Sequence, residues 1–302
     1  MGNVGLGCAL FGSSSGLKGE EYMEICGKTL YVSDLDGTLL NRKERLSSFT
    51  AETLNGLIRA GMLFTYATAR SLSSASIVTK GLQVDFPVIV YNGAFIRSAA
   101  TGKVLSSQAF SEKEQDLLFG LLEEKGVFPF AYKFLDGREQ VHWMRECENE
   151  GSLRYLASRK NDPRMGEVPS LEKLRQGDVF YFTCIGEREE LLPVYARKDE
   201  FPFARFIFQQ EIYRPEYWLE IMPAQATKAH GVERLKKLLG CSRVVAFGDA
   251  VNDIPLFQAA DEGYAVENAA PQLKEIATGI IPSNEEDGVA RWLIRHSGFS
   301  PL

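Results

Sequence analysis

The chain has 302 residues, of which 45% are hydrophobic and 25% charged, and carries a formal net charge of −6. At about 150 residues per domain, that length points to two domains, each able to bury a core. The acidic balance and the lack of a basic run exclude wholesale binding to nucleic-acid backbones or anionic lipid. No apolar stretch reaches the ~18 residues of a membrane-spanning helix. Five scattered cysteines (Cys8, Cys26, Cys147, Cys184, Cys241) are odd in number and lack CxxC spacing. They argue against a disulfide framework or a zinc site and suit a reducing cytosol.

Residues 1–27 are rich in glycine and serine, with no basic n-region and no long apolar h-region, so a flexible tail is expected rather than a signal peptide. Met23 offers a more natural start. From Lys28 the pattern alternates. Residues 29–34 predict a strand, SSFTAETLNGLIRAG a helix, MLFTYAT a strand, SLSSASIVTKG a helix and PVIVYNG a third strand. The continuous apolar runs suggest parallel strands covered on both faces.

Residues 96–222 read differently. SEKEQDLLFGLLEEKG predicts an amphipathic helix, and FPFAYKF and REQVHWM a hairpin about Asp136-Gly137. A strand, a helix and two strands follow, as expected for an antiparallel sheet with helices on one face. Within it, Tyr132, Lys133 and Trp143 are candidates for a pocket lining, although sheet packing explains each. After Pro223 the first rhythm returns through TKAHGVERLKKLLG, RVVAFGDA, NDIPLFQAA, GYAVEN and two further helices. The expected fold is therefore a doubly wound, Rossmann-like α/β core (28–95 and 223–302) with an α+β insertion (96–222).

Ligands of such a core bind at the carboxyl ends of its strands, and there the apolar runs break off into polar residues. The first strand ends in Asp34 and Asp36, the second in Thr68, the third in Asn92-Gly93. RVVAFGDAVND ends in Asp249, with Asn252 and Asp253 opening the next helix, and Lys228 begins the helix that re-enters the core. Several carboxylates and only three histidines favour a hard, oxygen-loving cation such as Mg²⁺. A threonine, a lysine and backbone amides suit the oxygens of a phosphoryl group. An aspartate can attack phosphorus, and a second, protonated one can serve the leaving oxygen.

DLDGT, TYATAR, Lys228 and GDAVND, in that order, resemble the four motifs of the haloacid dehalogenase superfamily. The large insertion between the second and third motifs resembles its Cof-type phosphatases. That resemblance implies Asp34 as nucleophile, Asp36 as general acid and base, and Thr68 and Lys228 as phosphate ligands. It further implies a cation held by the Asp34 carboxylate, the Asp36 backbone carbonyl and Asp249, with Asp253 in support, and Asn92 touching substrate. Ala69 and Ala229 stand where the family usually has glycine. The activity implied is Mg²⁺-dependent hydrolysis of a small phosphorylated metabolite, sugar phosphates first, through an aspartyl-phosphate in the cytoplasm. A phosphomutase, or a non-catalytic phosphometabolite-binding regulator, are the alternatives on the same scaffold.

Overall fold

The computed structural model describes residues 29–83, 86–210 and 215–301. The expected tail of residues 1–27, with Met23, lies outside them. The chain opens with β1 (Thr29–Ser33), α1 (Ser48–Arg59), β2 (Leu63–Tyr66) and α2 (Leu72–Val78). Next come β3 (Pro87–Val90), β4 (Phe95–Ser98), β5 (Val104–Ser107), α3 (Glu112–Glu124), β6 (Phe130–Leu135) and β7 (Arg138–Trp143). The middle continues with α4 (Glu150–Ser158), β8 (Met165–Glu167), α5 (Leu171–Arg175), β9 (Asp178–Gly186) and α6 (Arg188–Tyr195). Then follow β10 (Ala204–Gln210), β11 (Tyr217–Pro223), α7 (Lys228–Leu239), β12 (Arg243–Gly248) and α8 (Ile254–Ala259). The chain closes with β13 (Glu262–Val266), α9 (Pro271–Ile276), β14 (Gly279–Ile281) and α10 (Gly288–His296).

Contacts divide these elements into two compact units. The first holds the described residues through Tyr66, Ile77–Phe86 and those from Val232 onward; the second holds Ala67–Ser76 and Pro87–Gly231.

The first unit is built on a parallel sheet of order β14-β13-β12-β1-β2. Its central strands are apolar along their length because both faces are covered: Leu30, Val32, Ala246 and Phe247 are all fully buried. Trp292 of α10 covers one face, with ring centroids 6.5 Å from Tyr31, 5.2 Å from Phe247 and 4.4 Å from Tyr264. Helix α1 starts at Ser47, whose hydroxyl accepts the Thr50 N–H at 2.9 Å. The strand order reverses between the neighbours β1 and β12, since β2 lies to one side and β13 and β14 to the other. Ser33 pairs with both Phe247 and Tyr66, so these strands end level with one another. The residues that follow them emerge at the switch point of the sheet, where a doubly wound fold opens a crevice.

The second unit contains a six-stranded sheet of order β10-β11-β9-β6-β7-β8, antiparallel except for the β7–β8 pair. The expected hairpin is present: Asp136 (φ +52°) and Gly137 (φ +72°) form the two-residue turn between Leu135 and Arg138. Leu118 and Leu122 of α3, Leu174 of α5 and Leu191 of α6 pack with Phe182, Cys184, Leu219 and Ile221 in one core. Helices on one face only is the expectation, and α4 corrects it. Tyr155 of α4 packs on Phe130 (4.5 Å) and Trp218 (5.6 Å), which alternate with the core residues Ala131 and Leu219 and so face the other way.

A second correction concerns β3, expected as a parallel core strand. It pairs antiparallel with β4, and β4 with β5, in a separate three-stranded sheet. One parallel bridge, Ile89 to Ala67, links it to the residue after β2. The cause is the tight turn of residues 91–93, which delivers β4 directly onto β3. The division between units falls after Tyr66 and Gly231, so Thr68, Asn92 and Lys228 belong to the second unit.

Leu30 has no exposed surface on the central strand β1. Replacing it with alanine leaves a cavity flanked by rigid strands, with an expected cost of about 2–5 kcal/mol. Equilibrium denaturation of Leu30→Ala checks this; a loss under about 1 kcal/mol would show that the sheet collapses around the site.

Candidate active site

The carboxyl end of β1 runs straight into the site. The Asp34 N–H still donates to the Phe247 carbonyl at 2.9 Å, so Asp34 is held as one more residue of the strand and is 5% exposed. The chain then wraps around Leu35, whose carbonyl accepts from the N–H groups of Thr38 (3.3 Å), Leu39 (3.0 Å) and Leu40 (2.8 Å). This turn needs Gly37 at φ +75°, and a Cβ there would lie 2.2 Å from Asp249 Oδ2. Glycine is thus required for backbone conformation and to let Asp249 approach. The Asp36 side chain is exposed on the same turn.

The loop after β12 supplies the other carboxylates. Fully buried Asp253 accepts from the N–H groups of Asp249 (3.2 Å) and Ala250 (3.1 Å) through Oδ2. Gly248 leaves room for it, since a Cβ there would come within 2.8 Å of the Asp253 carboxyl carbon. Thr38 Oγ1 donates to Asp249 Oδ1 at 3.0 Å, and the Asp249 carbonyl accepts from Ala270 N–H at 2.7 Å. Asn268, in the loop after β13, donates to the Gly37 carbonyl at 2.7 Å.

The outcome is one carboxylate oxygen each from Asp34, Asp249 and Asp253, all within 4.8 Å of one another. Like charges gathered at that distance, with Asp34 and Asp253 buried, repel strongly unless compensated. An all-oxygen set in a cradle cleared by Gly37 fits a hard divalent cation. Expected ligands Asp34 and Asp249 therefore meet, with Asp253 beside them.

The remaining expected residues come together in the second unit. Fully buried Thr68 donates its N–H to Ile89 (3.0 Å), accepts Asn92 N–H at its carbonyl (2.8 Å), and accepts Arg70 N–H at Oγ1 (3.1 Å). Ser71 caps α2, accepting from Ser74 N–H at 3.2 Å. Asn92 sits at φ +52°, and its buried Oδ1 finds no hydrogen-bond partner among the described residues. Gly93 follows at φ +101°, where a Cβ would lie 2.0 Å from the Thr227 carbonyl. Thr227 Oγ1 accepts the His230 N–H at 3.2 Å, capping α7, and places Lys228 as its first residue, only 3% exposed. A buried lysine at a helix N-terminus opposes the helix dipole.

The pocket candidates in the insertion take structural roles. Lys133 is fully buried, with Nζ donating to the carbonyls of Lys173 (3.1 Å) and Leu174 (3.0 Å) near the end of α5. Burial lowers its pKa to about 8. Tyr132 hydrogen-bonds Tyr155, and Trp143 Nε1 donates to Glu148 at 3.1 Å. His230 serves the α7 cap and His296 bonds the Trp292 carbonyl. Burial is the main cause that lowers the pKa of His142, to about 4. Two supporting residues went unforeseen. Thr38 is inside the DLDGT motif and Asn268 inside AVENAAPQLKEIA, but neither type betrays a partner more than 200 positions away.

The model of the haloacid dehalogenase-like hydrolase family matches residues 31–293. The 5-amino-6-(5-phospho-D-ribitylamino)uracil phosphatase YwtE of Bacillus subtilis is 24% identical over 277 residues, covering 86% of this chain and 95% of that one. YitU, of the same description and organism, is 26% identical over 269 residues, covering 87% and 96%. Among solved structures, a subclass IIB sugar phosphatase of the superfamily, BT4131, matches with a TM-score of 0.63 at 21% identity, covering 90% of this chain and 99% of that one. With carboxylates at the switch point of a parallel sheet and a family match along most of its length, the chain belongs to the haloacid dehalogenase-like hydrolases.

Proposed function

We propose that this phosphatase hydrolyses a small phosphorylated metabolite of the sugar or sugar-alcohol phosphate class, with Mg²⁺, through an aspartyl-phosphate on Asp34. The convergence of Asp34, Asp249 and Asp253 carries this reading, because it gathers a buried carboxylate with two others whose oxygens could hold a cation. Two relatives described as phosphatases of a phosphoribityl compound support the substrate class. Asp34 and Asp249, with the Asp36 carbonyl and with Asp253 in support, would hold Mg²⁺, which supplies charge neutralisation for an incoming phosphate dianion.

In the proposed reaction an Asp34 oxygen attacks phosphorus and the ester P–O bond breaks. Asp36 gives its proton to the departing oxygen. Asp36 then takes a proton from water as that water attacks the aspartyl-phosphate, which releases inorganic phosphate and restores Asp34. Thr68 and Lys228 are the proposed phosphate ligands and Asn92 a proposed substrate contact. Residues 96–222 are the proposed cap that chooses the leaving group. Among the described residues no helix is long and apolar enough to cross a membrane. Scattered cysteines without CxxC spacing favour a reducing, cytoplasmic setting.

Phosphate release from a panel of sugar and sugar-alcohol phosphates tests the reading. Asp34→Asn is expected to fold and release no phosphate, since an amide cannot form the acyl-phosphate; substantial turnover by the purified variant would remove Asp34 from the nucleophile role. Asp36→Asn is expected to lose roughly 10²–10⁴-fold in kcat on alkyl esters, and far less on p-nitrophenyl phosphate, whose leaving group needs no proton. Equal losses on both substrates would contradict the acid assignment.

A further inference from the structure

Residues Tyr91, Asn92 and Gly93 all have positive φ, at +51°, +52° and +101°. Glycine adopts such a conformation freely and asparagine tolerates it, but for a bulky aromatic residue it is strained. Such strain persists only where the surroundings over-determine the conformation. Here the Tyr91 side chain does so. It is 8% exposed, and its ring packs at 5.1 Å from Phe180, 6.2 Å from Phe95 and 6.3 Å from Tyr132.

The Tyr91 hydroxyl ends in a partly buried charge network. It donates to Glu139 of β7 and accepts from Arg164 Nη1 at 2.6 Å, while Arg164 also binds Glu139 directly. Arg97 of β4 donates to the second Glu139 oxygen at 3.0 Å, and Asp162 pairs with Arg164 at 2.6 Å. Two guanidiniums thus balance two carboxylates, with the Glu139 side chain 8% exposed. Burial, and after it the Glu139 charge, push the Tyr91 hydroxyl well above its ordinary value, so it stays protonated as a donor.

The strained turn also touches Thr68 and the residue before Lys228. Asn92 N–H holds the Thr68 carbonyl at 2.8 Å, and Tyr91 N–H holds that of Arg70 at 3.0 Å. Gly93 lies so close to the Thr227 carbonyl, one residue before Lys228, that no Cβ would fit. We propose that Tyr91, Glu139, Arg164 and Arg97 are positioning residues for phosphate binding: they lock the turn that sets Thr68 and Lys228, and so tie phosphate affinity to the β6–β7–β8 part of the insertion's sheet. This inference rests on the phosphatase reading, and its test separates the two.

Inorganic phosphate binding is measured by calorimetry at saturating Mg²⁺ for the wild type, Thr68→Ala, Tyr91→Phe and Glu139→Gln. Mg²⁺ affinity without phosphate and the melting temperature are measured alongside. Losing a hydrogen bond to a charged group should weaken phosphate binding about tenfold in Tyr91→Phe, and more in Glu139→Gln, which leaves two guanidiniums facing each other. Mg²⁺ affinity should not change, because Asp34, Asp249 and Asp253 are untouched. Weak phosphate binding by Thr68→Ala with wild-type binding by Tyr91→Phe and Glu139→Gln would overturn the positioning role alone. Equal binding by wild type and Thr68→Ala would overturn the phosphate-site reading and the inference with it. Parallel loss of phosphate and Mg²⁺ affinity would show general loosening of the fold and overturn it as well.

Discussion

Mutual repulsion among three carboxylates is the constraint around which the first unit is organised. Asp34, Asp249 and Asp253 place oxygens within 4.8 Å of one another, with two of the three side chains buried. Charges so arranged would drive the loops apart unless hydrogen bonds and a cation opposed them. The hydrogen bonds are present: two backbone N–H groups serve Asp253 and the Thr38 hydroxyl serves Asp249. They orient the oxygens, and the proposed metal would add positive charge among them.

The sheet makes the gathering possible. Because the strand order reverses between β1 and β12, the two loops leave adjacent strands at the same edge and diverge. Asp34 is anchored by the strand ladder itself, through its N–H on Phe247, so rigidity of the core passes directly to the proposed nucleophile. Gly37 and Gly248 then remove the side-chain bulk that would keep Asp249 and Asp253 away. In the second unit the same economy appears in another form, with a strained aromatic turn in place of glycine-lined loops. A partly buried, charge-balanced network holds Tyr91 where it would not otherwise rest.

What could be read from the amino-acid sequence follows from how local each signal is. The strands that carry Asp34 and Asp249 are buried apolar runs broken by carboxylates, a pattern visible within about ten residues. The Asp136-Gly137 hairpin was equally legible, since a two-residue turn with positive φ writes its own composition. The fate of β3 was not legible. PVIV suits a parallel core strand as well as a hairpin strand, and only pairing with β4 decides. Helix α4 was missed because Gly151 and Ser152, poor helix formers, stand in its first turn and read as loop. Thr38, Asn268 and the Tyr91–Glu139–Arg164 network depend on residues distant in the chain, which no local pattern encodes.

The central claim, that the carboxylate cluster is a repulsive site completed by a cation, is tested most directly by thermal unfolding of wild type and Asp249→Asn in EDTA and in Mg²⁺. Removing one negative charge while keeping an acceptor for Thr38 relieves repulsion in the metal-free protein and deprives the cation of a ligand. The account predicts that the variant melts at or above the wild type in EDTA, and that Mg²⁺ raises the melting temperature of the wild type only. A variant that melts lower than the wild type in EDTA, and gains as much from Mg²⁺, would contradict it.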